Sequence, residues 1–444
     1  MTKNMTDGNP LKLIIQFSIP LLLGNLFQQT YNMIDAIIVG RYLGTDSLAA
    51  VGASSSVQFL ILGFCIGMCC GFAIPVAQRF GAKDYDGMRE YIFLNGILTT
   101  IFAIVITVLC AVFTPQILHL LKTPENIFQN AYSYLIILFL GIPFTLLYNT
   151  LAGILRSVGD SRTPFIFLVI SASLNIVLDV LFIVIIKWGC AGAAFATIVS
   201  QAISGILCIF LIKFKFQILH IRSENKKWNG LKIRNLLSSG IPMGLQFSIT
   251  AIGSMVLQAS NNSLGSIYVS AFTAGTKIKQ LTMCPFDALA TAVSTFASQN
   301  YGAGKIDRIK KGLNQGVAVG ISYGLVIGLV LIFFGRYISM IFINSKEIAV
   351  LNAAQKYAFC IGFFYWLLGI LNVLRMSTQG LGYSDRAVFA GIMEMIARCL
   401  VSFFFVPVFG YTAICFADQT AWLFAVLYIT PTCYWCIKSL YFSK

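Results

Sequence analysis

Long apolar runs, separated by short polar or charged breaks, follow one another along the whole chain. A helix needs about 20 consecutive, mostly apolar residues to cross the hydrocarbon core of a bilayer, and each of these runs is long enough. The pattern predicts twelve membrane-spanning helices, at residues 13–39, 48–77, 91–113, 128–152, 164–186, 189–212, 235–260, 266–297, 312–342, 350–374, 386–406 and 410–437.

The composition supports this interpretation and excludes a soluble fold. Of the 444 residues, 58% are hydrophobic and only 11% are charged, whereas a soluble domain carries about 25% charged residues. Twelve spans also leave almost no chain for a separate soluble domain. The predicted fold class is therefore an all-α polytopic membrane protein.

Basic residues are distributed unevenly between the two sides of the predicted membrane. Most lysines and arginines lie in the loops on the side of the termini, and the opposite loops contain only Arg41, Lys122, Lys187, Arg336 and Lys346. Positively charged loops stay in the cytoplasm, so we expect both termini there, in a multi-pass protein of the cytoplasmic (inner) membrane. These loops account for the net charge of +15, and no nucleic-acid partner is expected.

Short motifs recur about half a chain apart. The segment 18–21 (SIPL) corresponds to 240–243 (GIPM), and the segment 77–82 (AQRFGA) corresponds to 298–303 (SQNYGA). Each repeat contains six spans, so both halves enter the membrane in the same orientation, which is a transporter architecture. We expect an N-terminal lobe at 1–212, a cytoplasmic linker at 213–234 and a C-terminal lobe at 235–444.

Four acidic residues, Asp35, Asp179, Asp287 and Glu394, lie well inside predicted spans. A charge at the centre of a bilayer costs about 2.5–3.5 kcal/mol on insertion scales. Each of the four is therefore a candidate functional residue.

The first two of these acids lie on polar helix faces. Asp35 shares one face of the first span with Gln28, Tyr31 and Asn32, which recur at helical spacing. Asp179 follows Asn175 by one turn on the fifth span, and Thr197 lies on the sixth. These stripes predict a polar chamber inside the N-terminal bundle.

The chemistry of this chamber suits two coupling ions. Carboxylate, amide and hydroxyl oxygens are the ligands that a hard cation such as sodium prefers. Two nearby carboxyl groups in an apolar setting also hold one shared proton, because both cannot ionise cheaply. We expect H⁺ or Na⁺ as the coupling ion and no other metal or cofactor, and the residues alone do not choose between the two ions.

Several motifs are similar to those of the multidrug and toxic compound extrusion (MATE) family. They are Pro20, residues 29–44 (QTYNMIDAIIVGRYLG), the two Gln-x-x-Gly-Ala loops, residues 159–164 (GDSRTP) and residues 175–179 (NIVLD). The resemblance implies two parallel six-helix bundles in a V around a central cleft. It also implies export of organic, often cationic compounds by alternating access. The acids that match the family's motifs, Asp35 and Asp179, lie in the N-terminal half, so the chain more closely resembles the prokaryotic DinF-type branch.

The resemblance assigns residue roles as well. Asp35, Asn175, Asp179 and Thr197 match the family's site for H⁺ or Na⁺, and a bound sodium ion would lie at the two carboxylates. Pro20 removes a backbone hydrogen bond from the first span, which predicts a helix kink. The candidate substrate-binding residues are Gln28, Tyr31, Asn32, Asn149 and Asp287. For the last of these, a structural ion pair is the alternative interpretation.

The second half departs from the symmetry of the repeat. The positions that correspond to Asn175 and Asp179 are occupied by Arg398 and Ser402, so no second acid pair is expected. Glu394 lies four residues before Arg398, which predicts an ion pair along one helix. Asp418 is expected near the membrane surface.

Other functional classes fit less well. An enzyme is not expected, because the two histidines lie on opposite sides of the membrane and neither metal-ligand spacing nor a nucleotide loop is present. A flippase for lipid-linked oligosaccharides, from the same superfamily, is the alternative to a drug antiporter. We expect a monomer whose partners are the lipid bilayer and small-molecule drugs or organic cations.

Overall fold

The computed structural model describes residues 3–120 and 123–442, which form helices and turns without a β-strand. The helices are Pro10–Leu43 (α1), Thr45–Gly81 (α2), Tyr85–Leu120 (α3), Glu125–Leu140 (α4), Ile142–Ser157 (α5), Arg162–Asp179 (α6), Cys190–Lys215 (α7), Gly230–Asn262 (α8), Ser266–Gly302 (α9), Ile306–Ser339 (α10), Ile348–Gly380 (α11), Ser384–Leu400 (α12), Val406–Phe409 (α13) and Tyr411–Phe442 (α14). The predicted all-α class is confirmed.

Two of these helices continue through a π-helical segment. Val180–Ile185 extends α6, and Val401–Phe405 joins α12 to α13. The two segments occupy corresponding places in the two halves of the chain. The first begins directly after Asp179, and π-helical turns are frequent at functional sites.

Within the described residues, ten helical segments are long and apolar enough to cross a membrane. The pair α4 and α5, bent by 46°, is an eleventh if it forms one span. The remaining predicted span corresponds to α9, which has 37 residues but carries Lys277, Lys279 and Asp287 along its length.

The described chain divides into two compact units. Unit 1 contains residues 3–4 and 23–244, and unit 2 contains residues 5–22 and 245–442. The helices α1 and α8 therefore contribute residues to both units. The segment 213–234 contains two short 3₁₀ turns, Gln217–Leu219 and Ser223–Asn225, and Arg89 Nε donates to the backbone oxygen of Ile218 at 3.2 Å.

Glycines allow close helix packing in unit 2. Five of them recur every four residues on α10, where Gly312 and Gly316 lie closest to α9 and the last three face α11. A Cβ at Gly324 would lie 2.5 Å from Cα of Trp366, and a Cβ at Gly328 would lie 2.3 Å from the backbone oxygen of Gly362. Small residues at this spacing let helices pack backbone to backbone in a membrane. This glycine seam comprises Gly312, Gly316, Gly320, Gly324 and Gly328.

The repeated Gln-x-x-Gly-Ala motif of unit 2 binds the start of the chain. Met5 is fully buried, its N–H donates to Oε1 of Gln299 at 2.8 Å, and its backbone oxygen accepts from Nδ2 of Asn300 at 3.2 Å. Lys305 Nζ donates to Oδ1 of Asp7 at 2.7 Å, and this ammonium group lowers the pKa of Asp7. The motif therefore anchors the segment that precedes α1.

Candidate functional site

Two carboxyl groups meet inside unit 1. Asp35 lies on α1 and Asp179 is the last residue of α6, and their side chains are close enough to hydrogen-bond to each other. An ionised carboxylate has no donor, so a shared proton or a bridging cation would stabilise this contact. In each residue the Oδ1 atom is buried and has no hydrogen-bond partner.

Asn175 connects this acid pair to α7. Its Nδ2 donates to Oγ1 of Thr197 at 3.3 Å. In the alternative amide orientation, which satisfies both ends of the side chain, Nδ2 donates to Oδ2 of Asp179 at 3.2 Å and the amide oxygen accepts from the Thr197 N–H at 3.2 Å. The four residues predicted for the ion site therefore lie together, and they supply carboxylate, amide and hydroxyl oxygens.

The acid pair has no basic partner. Across residues 3–120 and 123–442, neither Asp35 nor Asp179 takes part in a salt bridge, and burial and the other carboxyl group dominate the electrostatics of each. Asp179 is fully buried. A buried acid without a counter-charge is costly, which favours a bound proton or metal cation.

Tyrosines surround the acid pair. Tyr31, half-buried on α1, is bonded to Gln28 and interacts electrostatically with both acids. Tyr134, a buried residue of α4, interacts with the same two acids. Sequence analysis missed Tyr134, because spacing along one helix does not show that a residue of α4 meets residues of α1 and α6. Gln28 and Asn32 are exposed, so the polar stripe of α1 extends from the acid pair to solvent.

The other substrate-binding candidates contact residues outside the acid pair. Asn149 Nδ2 donates to the backbone oxygen of Thr145 on its own helix, at 2.8 Å. Asp287 belongs to unit 2, is exposed on α9, and accepts from Nδ2 of Asn372 at 3.4 Å. Pro20 is buried inside α1, which is continuous from Pro10 to Leu43.

The buried acids of unit 2, Glu394 and Asp418, are paired with bases. Glu394 and Arg398 form the predicted ion pair, at 3.3 Å, and Glu394 also accepts from Arg375 at 2.6 Å. Asp418, which was expected near the membrane surface, is buried within unit 2 and only 2% exposed. It is bonded to Lys279 at 2.5 Å and to Arg398 at 3.2 Å.

Comparisons with known proteins agree with this structure. The family model MatE matches residues 20–181 and 242–404, once in each half of the chain. The probable multidrug resistance protein YpnP of Bacillus subtilis is 33% identical over 421 residues, which cover 95% of this chain and 91% of that protein. An FAD transporter of Shewanella oneidensis is 24% identical and covers 82% of this chain and 80% of its own.

Solved structures share the fold. One, described as the outward-facing conformation of a multidrug resistance MATE family transporter of the MOP superfamily, has a TM-score of 0.93. Its sequence is 22% identical, and the match covers 99% of both chains. The family resemblance read from the motifs is confirmed, and the chain belongs to the MatE family.

Proposed function

We propose that this protein is a secondary active multidrug efflux antiporter, which exports organic, often cationic compounds in exchange for H⁺ or Na⁺. The relatives support the export of drugs, since two from Bacillus subtilis are named as probable multidrug resistance proteins and others as the multidrug export protein MepA. The coupling to an ion rests on one structural observation, the acid pair of unit 1.

The acid pair is suited to bind and release a cation. Asp35 and Asp179 face each other without a basic residue, and each has a buried oxygen that lacks a partner. A proton would be shared between the two carboxyl groups. A sodium ion would find oxygen ligands on Asn175 and Thr197 as well, as hard cations require. Either ion removes the repulsion between the two negative charges.

Ion binding would be linked to drug release through α1. Neutralising the acid pair lets α1 bend at Pro20 and pack more closely on α6 and α7, which shrinks the polar chamber of unit 1. The exposed Gln28 and Asn32 lie on the same stripe of α1 as Asp35. A drug held by this stripe would be displaced when the ion binds, so the two ligands should compete with reciprocal effects on affinity.

The flippase alternative is less well supported by unit 2. A flippase for pyrophosphate-linked lipids needs free basic side chains, but Lys279 and Arg398 are bonded to Asp418. Lys356 donates to Oγ1 of Thr412 at 2.6 Å. Of the basic residues that lie within predicted spans, only Lys277 is exposed without such a bond in the described part of the chain.

The location follows from the distribution of charge. We place the protein in the cytoplasmic membrane, as a monomer with both termini and the segment 213–234 in the cytoplasm. Cysteine labelling of position 227 in a cysteine-free variant checks the orientation. Labelling by an impermeant reagent from outside intact cells would contradict it.

The function is tested with purified protein in proteoliposomes. Ethidium is loaded, and its transport is followed under an imposed proton gradient, an imposed sodium gradient, or neither. We expect transport that depends on one of the two gradients. Transport that is equal with and without both gradients would exclude antiport.

A further inference from the structure

A continuous chain of polar contacts runs from the exposed Asp287 into the interior of unit 2. Asn372 Nδ2 donates to Oδ1 of Asp287 at 3.4 Å. The oxygen of the same amide accepts from Nη2 of Arg375 at 2.7 Å, and Nη1 of Arg375 donates to Oε1 of Glu394 at 2.6 Å. Asn372 and Glu394 are 2% and 3% exposed, whereas Asp287 is exposed.

The chain of contacts then returns to α9. Glu394 is bonded to Arg398, Arg398 to Asp418, and Asp418 to Lys279, which lies eight positions before Asp287 on the same helix. Behind Asp287 the chain contains three bases (Lys279, Arg375 and Arg398) and two acids (Glu394 and Asp418). The carboxylate of Asp287 therefore balances the charge of the whole chain.

Asp287 lies near the middle of a long helix. The helix α9 has 37 residues, and Asp287 is only three positions beyond the central residue, which corresponds to about 4.5 Å along the axis. Lys277 and Gln280 are exposed on the same side of α9. A charged face at this depth is costly in contact with lipid, so Asp287 faces water or a ligand.

Arg375 determines which way the amide of Asn372 points. An arginine can only donate hydrogen bonds, so it binds the amide oxygen and directs the amide nitrogen towards Asp287. Glu394 in turn fixes the guanidinium of Arg375. One oxygen of Asp287 is thus held by Asn372, while no contact within hydrogen-bonding distance holds its other oxygen in the described structure.

We propose that Asn372 and Arg375 are positioning residues, which hold Asp287 so that its free oxygen binds the cationic group of the transported compound. The proposal rests on the proposed function and names the part of the substrate that unit 2 recognises. Without the side-chain amide of Asn372, the carboxylate of Asp287 is free to rotate. Hydrogen bonds to charged groups are strong enough that their loss weakens binding about tenfold.

The test is a double-mutant cycle on ethidium binding to the full-length purified protein, followed by ethidium fluorescence. We expect Asn372→Ala to raise the Kd for ethidium about tenfold and to leave the Kd for Nile red, an uncharged dye, unchanged. In an Asp287→Asn background the same substitution should have no further effect, because the group that it positions is gone. Arg375→Gln should behave like Asn372→Ala.

Matched variants separate positioning from a structural role. Lys277→Gln changes a charge on the same face of α9 outside the contact chain, and should not reproduce the selective loss of ethidium. If Asn372→Ala is not recovered in membranes, Asn372→Leu, which is similar in volume, takes its place. Equal weakening of both dyes, or additive effects in the cycle, would overturn the proposal. If the double-mutant cycle gives the expected result but ion-driven transport is not observed, the proposed antiport is contradicted and the positioning role is not.

Discussion

Units 1 and 2 contain related repeats, but their buried acids have opposite kinds of partner. In unit 1, Asp35 and Asp179 meet each other and no base among the residues that the structure describes. In unit 2, Glu394 and Asp418 are each bonded to two bases. An acid that faces another acid gains stability from a proton or a metal ion, whereas an acid bonded to arginine or lysine already has its counter-charge. The comparison supports our proposal that unit 1 is the part that exchanges the coupling ion.

The largest effect is expected at the acid pair. Asp35→Asn removes the carboxyl group that shares the coupling ion, so ion-driven efflux should be abolished while the protein remains folded. Val256→Asn places the same amide 221 positions later, which is the offset between the repeated motifs 77–82 and 298–303, and should be mild. Ethidium transport in proteoliposomes, with size-exclusion profiles as the folding control, measures both. An equal loss in the two variants would remove the functional difference between the units.

A large loss of stability is expected at the ion pairs of unit 2. Glu394→Gln leaves Arg375 and Arg398 without their shared carboxylate, and removing one partner of a buried ion pair costs about 3–5 kcal/mol. Asp179→Asn removes an equally buried acid that has no basic partner, and should leave stability unchanged or improve it. Thermal unfolding of both variants in one detergent measures the difference. Similar unfolding temperatures would show that the two sets of acids are not distinct.

The glycine seam of unit 2 gives the next prediction. A Cβ added at Gly324 would lie 2.5 Å from a backbone atom of Trp366, which cannot move aside without shifting α11. Gly324→Ala should therefore cost about 1–3 kcal/mol of stability, as overpacking does. Gly52→Ala in α2 meets nothing within 4 Å, so it should be neutral or slightly stabilising. Thermal unfolding of the two variants measures this difference. An unchanged unfolding temperature for Gly324→Ala would show that the close packing of α10 on α11 does not contribute to stability.

The helical fold and the polar helix faces that carry the acids of unit 1 could be predicted from the sequence. Acids in apolar runs are conspicuous, and helical spacing correctly grouped Gln28, Tyr31 and Asp35 on one face. The contact between Asp35 and Asp179 was anticipated only as two stripes in one bundle, because local spacing does not show which helices meet. The sequence pattern predicted a continuous helix at 164–186 and gave no indication of the π-helical segment after Asp179.

The partners of the acids in unit 2 were missed for the same physical reason. Glu394 and Arg398 lie four positions apart on one helix, so their pairing was visible. Arg375, Lys279 and Asp418 come from three other helices, and only tertiary structure brings them together. The glycine seam was also missed, although glycine recurs every fourth residue from Gly312 to Gly328 and small residues at this spacing are typical of close helix packing.

The smallest predicted effect sharpens the comparison most, because it separates the two units within one measurement. Ethidium affinity of the purified protein is measured from about pH 5 to pH 9, with and without sodium. When the acid pair of unit 1 binds an ion, drug is displaced, so affinity should fall at least about fivefold as pH falls or sodium is added. Asp35→Asn should flatten this dependence. Asp287→Asn should weaken binding at every pH and keep the dependence, since unit 2 recognises the drug but does not exchange the ion. Loss of the dependence in Asp287→Asn, or its persistence in Asp35→Asn, would reverse the roles assigned to the two units.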